Sequence, residues 1–453
     1  MLLIDVTIVN VALPAIADDL DAGLSGLQWI VDGYALALAA LLLVIGSLAD
    51  RLGAKPVYLA GLTVFAISSL ICGMAGDTGI LVFARVLQGI GGAAMFATTL
   101  SLLNATYTGR DRGIAFGAWG AVSGAAAALG VVLGGVLTDL LSWRWIFFVN
   151  LPIAAVTVAL SVVAFPVSQR HSGHRADLPG MAAFTIAATG VTFGIIRGGE
   201  HGWTDAAAVA ALVAGAVAAV LFTVIESRSA APMFPLPLLR NRTFGGTLIG
   251  ASGQTFAAFA ASPLISLWLQ QQLHMSPLRT GLAMLPMAAA AFVVAGVTGR
   301  FLHDASPAWT IGLGLVVIGI GAGLLTLVGT GSSWTALIPG LVVIGAGAGV
   351  NAPALVSTAM AAVPPQQGGT AAGAVNTARQ LGLALGVAVL GTVFRSTAGE
   401  GHPIPPAHFV DGLDTAFMVA CVVGLVFGAL SFALFRRARA RVAPISAEHA
   451  LVD

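Results

Sequence analysis

The sequence predicts an all-α polytopic membrane protein, and three observations carry that prediction. Hydrophobic residue types make up 58% of the 453 residues and charged types only 9%, whereas a soluble domain carries about 25% charged and roughly 45–50% apolar residues. Mean hydropathy is +0.95, so the charge is too thin to cover a water-exposed surface. The apolar runs are long and do not alternate, which favours helices over a barrel, since backbone groups in lipid must be satisfied within each segment. An ordinary cytosolic enzyme is excluded. Twenty basic and nineteen acidic side chains leave a net charge of +1, so no field attracts nucleic acid.

A crossing helix takes about 20 mostly apolar residues. Runs bounded by polar, glycine or proline breaks fall near 1–17, 26–49, 56–75, 79–104, 113–138, 144–165 and 180–198. They continue near 204–225, 244–270, 278–300, 307–328, 335–361, 371–395 and 414–435. The first is short and holds Asp5 almost at its start, which points to a start upstream of residue 1 or to a trimmed chain. Met1-Leu2-Leu3-Ile4 lacks the basic leader and cleavage site of a signal peptide, so residue 1 onward reads as mature chain. Cys72 and Cys421 each lie inside an apolar run and form neither a disulfide framework nor a zinc site.

Basic residues orient the spans. With the first N-terminus in the cytoplasm, the inner loops and tail hold Arg51, Lys55, Arg110, Arg112, Arg170, Arg175, Arg228, Arg240, Arg242, Arg300, Arg436, Arg437, Arg439 and Arg441. The outer loops hold Arg144, Arg197, Arg279 and Arg395, and Arg85 and Arg379 lie within spans. The positive-inside rule then puts both termini in the cytoplasm and makes the helix count even.

An internal echo divides the chain. Ala128-Leu129-Gly130-Val131-Val132-Leu133-Gly134-Gly135 in the fifth run returns as Ala384-Leu385-Gly386-Val387-Ala388-Val389-Leu390-Gly391 in the thirteenth, offset by 256. Ser25-Gly26-Leu27 returns as Ser276-Pro277-Leu278 at an offset of 251, and Gly46 as Gly299 at 253. The simplest account is two six-helix halves separated by two extra helices. The expected organisation is residues 1–165 as an N-terminal bundle, 166–243 as two linker helices with cytoplasmic loops, 244–435 as a C-terminal bundle, and 436–453 as a cytoplasmic tail.

Charged groups inside spans are the informative residues, because an ionised side chain at mid-helix costs roughly 2.5–3.5 kcal/mol on insertion scales. Asp5 lies ~18 Å from the outer end of its span at the helical rise. Asp32 and Arg85 lie at similar outer depths in spans two and four, which makes them a candidate ion pair facing a central cavity. The alternatives are that both reach outer headgroups and that Asp5 is structural. Gln88, one turn beyond Arg85, shares its face.

Four stretches carry a resemblance. Leu3-Ile4-Asp5-Val6-Thr7-Ile8-Val9-Asn10-Val11-Ala12-Leu13-Pro14 resembles the first-helix signature of the 14-helix drug:proton antiporters in the major facilitator superfamily. Gly46-Ser47-Leu48-Ala49-Asp50-Arg51-Leu52-Gly53-Ala54-Lys55 resembles that superfamily's loop 2–3 motif. Arg85-Val86-Leu87-Gln88-Gly89-Ile90-Gly91-Gly92-Ala93 resembles its fourth-helix motif, and Trp143-Arg144-Trp145-Ile146-Phe147-Phe148-Val149-Asn150-Leu151-Pro152 the start of helix six in this subgroup. Weaker similarity continues through Ser276-Pro277-Leu278-Arg279-Thr280-Gly281 and Asn376-Thr377-Ala378-Arg379-Gln380-Leu381-Gly382. The resemblance implies the major facilitator fold, with two six-helix bundles plus two extra helices, 14 transmembrane helices in all.

The resemblance also implies roles. Asp5, Asp32 and Arg85 would serve proton coupling, Arg85 by biasing a nearby carboxylate. Asp50, Arg51, Gly53 and Lys55 would gate the cytoplasmic side, with Asp50 accepting from a helix N-terminus or an arginine; the alternative is a topology anchor alone. Gly130, Gly134 and Gly135 would join that gating set, because small residues allow close helix packing. Here Val131 stands where the antiporter motif has proline, which removes an obligatory kink. Gly299-Arg300-Phe301-Leu302-His303-Asp304-Ala305-Ser306 is a degraded copy of the loop 2–3 motif.

If the halves pack as in that family, the candidate cavity-lining, substrate-binding groups are Asn10, Tyr34, Gln88, Gln254, Phe256, Asn351, Asn376, Arg379 and Gln380. Arg379 would meet an anionic group or pair with a carboxylate. Met284 and Met287 flank Pro286 in span ten, where packing is the commoner use of methionine. His171, His174, His201, His274, His303, His402, His408 and His449 are scattered without metal-ligand spacing. With one lysine in the chain there is no phosphate-binding Gly-x-x-x-x-Gly-Lys loop, so this polypeptide does not pump with ATP.

The expected function is proton-coupled export of amphipathic small molecules, drugs or antibiotics, by alternating access, with Asp5 or Asp32 loading the proton. The expected partners are small-molecule substrate, protons and the lipid bilayer. No cofactor, metal or catalytic residue is expected, and the protein is expected to be a monomer in the cytoplasmic membrane. Competing expectations are a dedicated exporter of one metabolite, an uptake carrier made more credible by Val131, and an intramembrane enzyme or sensor, for which clustered catalytic groups are lacking.

Overall fold

A computed structural model describes residues 1–22, 24–165, 177–229, 232–301, 305–364, 367–399 and 404–439. Arg170, Arg175, His171, His174, His303, Asp304, His402, Arg441 and His449 lie outside the described residues, as do the side chains of Asn10 and Val131.

Each apolar run is helical. The helices are α1 (Leu2–Leu20), α2 (Leu24–Leu52), α3 (Ala54–Gly73), α4 (Thr78–Thr106), α5 (Gly109–Leu140), α6 (Trp145–Ala164) and α7 (Leu178–His201). After them come α8 (Ala206–Arg228), α9 (Arg242–Gln272), α10 (Pro277–Phe301), α11 (Ala308–Leu327), α12 (Trp334–Ala361), α13 (Gly368–Ala398) and α14 (Pro406–Arg439). Among the described residues, 12 of these, α2–α4 and α6–α14, are long and apolar enough to cross a membrane. The expectation of fourteen crossings stands at twelve on that criterion. α1 carries Asp5, Asp18 and Asp19 within its 19 residues, and parts of α5 lie outside the described side chains.

The boundaries have local causes. Gly53 sits at φ 94° between α2 and α3, a left-handed conformation that favours glycine. Asp77 and Asp205 cap α4 and α8, accepting from Ile80 N and Ala208 N at 2.9 Å each, and Asn241 caps α9 from Thr243 N at 2.9 Å. These acceptors satisfy backbone donors that a helix start leaves open. α9 breaks at Ala260–Ala261 and resumes at Ser262, ending in a π-helical turn, Trp268–Gln272. Pro286 and Pro353 lie inside α10 and α12.

Lipid gives helices no hydrophobic reason to associate, so close contact depends on small residues. In the first bundle α1 packs on α5, α2 on α4, and α3 on α4 and α6. In the second, α9 packs on α13 and α14, α10 on α12, and α11 on α12 and α14. The bundles meet where α2 lies along α13 and α5 along α10. The extra hairpin straddles that seam, with α7 packed on α2 and α13 together. Phe193 stacks on Trp29 at 5.9 Å, Trp203 Nε1 donates to Thr392 Oγ1 at 3.2 Å, and Arg395 donates to the Gly199 carbonyl.

The echo in the sequence is a repeat in packing. A side chain at Gly89 would meet the Tyr34 carbonyl, and one at Gly345 the Met287 carbonyl. Gly91 closes on Gly61 and Phe65 as Gly347 closes on Gly314 and Ile318. Gly130 closes on Ile4 and Thr7 as Gly386 closes on Phe256 and Ala260. The helix pairs α2–α4, α3–α4 and α1–α5 are thus repeated as α10–α12, α11–α12 and α9–α13, residue for residue within one position.

Candidate functional site

The first bundle encloses a network of charged and polar side chains around Asp5. Asp5 on α1 and Arg85 on α4 form an ion pair, Arg85 Nη1 to Asp5 Oδ2 at 2.6 Å, with side chains 2% and 0% exposed. Gln88 Nε2 donates to Asp5 Oδ1 at 3.0 Å, and Asn150 Nδ2 of α6 donates to the same oxygen at 3.2 Å. Gln88 is oriented from both ends: its Oε1 accepts from Arg85 Nη1 at 2.7 Å, and its Nε2 also donates to Ser69 Oγ of α3 at 2.7 Å. The Cys72 thiol approaches Gln88 Oε1 at 3.8 Å.

Arg85 is held on its other edge by α2. Its Nε donates to the Ile30 carbonyl at 3.0 Å, and its guanidinium lies 4.3 Å from the centre of the Tyr34 ring. The ring face supplies a cation–π contact in a desolvated setting. Close helix approach makes this geometry attainable. A Cβ at Gly89 would lie 2.5 Å from the Tyr34 carbonyl oxygen, and one at Gly91 2.7 Å from the Gly61 carbonyl oxygen. On the far side, a Cβ at Gly130 would lie 1.9 Å from Thr7 Oγ1 and one at Gly134 2.9 Å from the Ile8 carbonyl oxygen. The glycine stripe of α5 therefore sets how deeply the Asp5 turn sits.

The pairing of Arg85 with Asp32 is corrected: its partner is Asp5. Equal depth along two helices does not fix direction around them. Ile30 and Tyr34, four residues apart, share the α2 face turned to Arg85, while Asp32 falls between them, roughly 200° around the helix from Ile30. Asp32 is half-buried and has its own interactions.

Most of the expected lining residues are buried in this structure. Gln88 is part of the ion-pair network and fully buried. Tyr34 is buried beneath Arg85, and Gln254, Phe256, Asn351 and Asn376 are buried in helix packing. Asn376 Nδ2 returns to the Ala372 carbonyl at 3.1 Å, and Phe256 lies against Gly386. A polar residue in a small-residue-rich helix gives no sign in sequence of which side it faces. Arg379 and Gln380 alone of the described set are partly accessible. The side chain of Asn10 lies outside the described residues.

The second feature is a cap between the bundles. Asp50 at the end of α2 accepts from Gly369 N at 2.5 Å, Thr370 N at 2.7 Å and Thr370 Oγ1 at 2.8 Å. Those groups open α13, which has no side-chain cap of its own. A carboxylate there meets unsatisfied N–H donors and the positive end of the helix dipole. The approach needs glycine on both helices: a Cβ at Gly46 would lie 2.2 Å from the Gly369 carbonyl oxygen, and one at Gly373 2.6 Å from that of Leu42. Lys55 turns away from the seam and donates to Val162 and Phe165 carbonyls at 2.9 and 2.6 Å, closing the end of α6. Arg51 is engaged as well. Gly135 faces Leu278 of α10 at an ordinary 3.7 Å, so it lies on the inter-bundle face rather than on α1.

Sequence reasoning did not single out Ser69, Gly369 or Thr370, and it named Cys72 and Asn150 without a role in this network. Ser69 and Asn150 are polar groups within apolar spans, a signal that a span-by-span polar inventory would have raised. Gly369 and Thr370 had no such signal, since a helix start becomes a binding partner only through its neighbour.

The repeat sharpens the contrast between halves. By the packing correspondence, Arg85 falls opposite Leu341, Gln88 opposite Ile344 and Tyr34 opposite Met287, all buried and apolar. The first bundle carries the buried ion pair, and the matching positions of its twin are apolar.

Two pseudo-repeated helical bundles, a buried ion-pair network in one of them and a cap across their seam give the architecture of a membrane transporter. The chain belongs to the Major Facilitator Superfamily, whose model matches residues 1–387 and 247–451. It is 35% identical over 430 residues to the puromycin resistance protein pur8 of Streptomyces alboniger, covering 93% of this chain and 85% of that protein. It is 33% identical over 394 residues to the multidrug resistance protein Stp of Mycobacterium tuberculosis (strain ATCC 25618 / H37Rv), covering 87% and 73%. Identity to the tetracenomycin C resistance and export protein of Streptomyces glaucescens is 31% over 491 residues, covering 96% and 89%. Among solved structures, the human organic anion transporter MFSD10 (TETRAN) superposes with a TM-score of 0.66 over 95% of this chain and 96% of that one, at 17% identity, a likeness of fold alone.

Proposed function

We propose that this protein exports amphipathic small molecules, drugs or antibiotics, across the cytoplasmic membrane in exchange for protons. The observation that carries the reading is the enclosed carboxylate of Asp5, paired with Arg85 and held by Gln88 and Asn150. A buried acid paired this way has two low-energy conditions, ionised with its partners in place or protonated with the partners released. Protonation of Asp5 removes the charge that holds Arg85, which then keeps Gln88 on its own helix and Ile30 and Tyr34 of α2 as partners. Because α2 also carries Asp50 at its far end, a shift of α2 acts directly on the cap at α13. Proton loading and opening of the seam are thereby linked through one helix, and Asp50, Arg51, Gly53, Lys55, Gly130, Gly134 and Gly135 form the gating set.

The proposal includes fourteen crossings, with α1 and α5 as spans, and both termini in the cytoplasm, which places the Asp50 cap on the inner side. It also includes bundles within 1–165 and 244–435, the linker pair within 166–243, a tail at 436–453, and a monomer as the working unit. Arg85 and Asp5 carry proton coupling, while Asp32, away from the network, has the lesser part. The names of the relatives support two ranges of cargo. One is called a multidrug resistance protein and others are named for a single antibiotic, so a dedicated exporter is the second reading, and a substrate panel separates the two.

The test is transport into inverted membrane vesicles under an imposed pH gradient. Asp5→Asn is expected to abolish gradient-driven accumulation while leaving gradient-independent exchange, and Asp32→Asn to keep a substantial part. Undiminished gradient-driven transport by Asp5→Asn overturns the assignment. Accumulation in the opposite direction by the wild type overturns export.

A further inference from the structure

We propose that Arg379, facing Trp119 across the seam between the bundles, is an anion-recognising subsite, and that the cargo is an aromatic amphiphile bearing an acidic group. The inference rests on the export reading only in taking the seam as the path of the cargo.

Arg379 lies inside α13, eleven residues beyond Gly368, or about 16 Å into the span from the Asp50 cap at the helical rise. A cation at that depth needs a partner. Arg85, Arg144 and Arg197 each have a carboxylate partner. Among the described residues, none accepts a hydrogen bond from the Arg379 guanidinium, and no carboxylate lies within ion-pair distance of it. Its neighbour is the Trp119 ring of α5, in the other bundle, 6.0 Å from the guanidinium carbon.

The backbone behind this side chain is fixed. Thr255 Oγ1 donates to the Arg379 carbonyl at 2.6 Å and Ser252 Oγ to the Ala378 carbonyl at 2.8 Å. Gly382, one turn on, closes against Ser252. The side chain is partly accessible, as is Gln380 beside it, in contrast to the saturated and sealed Arg85. Beside Trp119, Gly120 packs on Ala295, Ala352 and Pro353. A rigidly based guanidinium with open donors and an indole facing it across the seam together match one ligand chemistry. The planar fork takes a carboxylate or sulfonate through paired hydrogen bonds, and the indole takes an aromatic ring. A cationic amphiphile would meet like charge at the same point.

Two xanthene dyes, fluorescein as the anion and rhodamine 123 as the cation, test this by equilibrium fluorescence anisotropy on the purified full chain in nanodiscs. The wild type is expected to bind fluorescein more tightly than rhodamine 123. Arg379→Gln is expected to weaken fluorescein binding at least about tenfold, with Arg379→Lys retaining part of it. Rhodamine 123 binding at wild-type strength or tighter in Arg379→Gln reports that the variant is folded. Absent fluorescein binding by the wild type, unchanged fluorescein binding by Arg379→Gln, or equal loss of both dyes overturns the subsite, the last marking a structural strut. Gradient-driven transport by the Asp5 variants reads proton coupling separately. A protein that discriminates the dyes but fails that test keeps the subsite and loses the exchange mechanism.

Discussion

Replacing Asp50 with alanine removes the side-chain cap at the start of α13 and, with it, one tie between the bundles. Three hydrogen bonds are lost, from Gly369 N, Thr370 N and Thr370 Oγ1. Loss of an N-cap side chain costs about 1 kcal/mol, and loss of an anion at a partly buried helix start adds up to about 1–2 kcal/mol. The freed amides regain some water, so a net of ~2 kcal/mol against the closed seam is reasonable, about 30-fold in the closed-to-open ratio. Ser101 of α4 sits against Gly368 at this same closure, which makes Ser101→Cys a reporter once Cys72 and Cys421 are replaced by alanine. When opening is fast relative to alkylation, the maleimide rate follows the open population. It is expected to rise about 30-fold in Asp50→Ala and much less in Asp50→Asn, which keeps a capping oxygen. An unchanged rate in Asp50→Ala refutes the argument that this carboxylate holds the seam shut.

Other consequences can be measured together. Arg85→Gln leaves the buried Asp5 carboxyl without its cation and is expected to destabilise the protein by about 3–5 kcal/mol, while Arg85→Gln with Asp5→Asn recovers most of that loss in thermal unfolding. Additive losses in the double variant count against the pair. Gly89→Val drives a side chain into the Tyr34 carbonyl, separates α2 from α4 and is expected to abolish gradient-driven transport with the protein still in the membrane. Wild-type transport by that variant excludes the close α2–α4 approach as a requirement. Gly130→Val and Gly386→Val strike equivalent contacts in the two bundles; the first is expected to abolish proton coupling and the second chiefly to lower stability. Equal loss of coupling in both contradicts the assignment of proton coupling to the first bundle.

The hydrophobic runs by themselves determined nearly the whole helix list, because a segment in lipid has no alternative to satisfying its own backbone. They also determined the two-fold repeat, since glycines at matched positions are needed wherever two helices touch, and the matched contacts of Gly89 with Gly345 and Gly130 with Gly386 bear this out. Asp5 and Arg85 were legible as candidates, because charge in an apolar span is costly enough to need a reason, and Asp50 through the resemblance of its motif. Only tertiary structure decided what each charge meets. Depth along a helix follows from counting residues, but direction around it follows from which neighbour packs where. For that reason Arg85 turned to Asp5 rather than to Asp32, Gln88 joined the ion pair rather than the cargo path, and Asp50 met Gly369 and Thr370, residues 319 and 320 positions away whose amides become ligands only when another bundle brings a carboxylate to them.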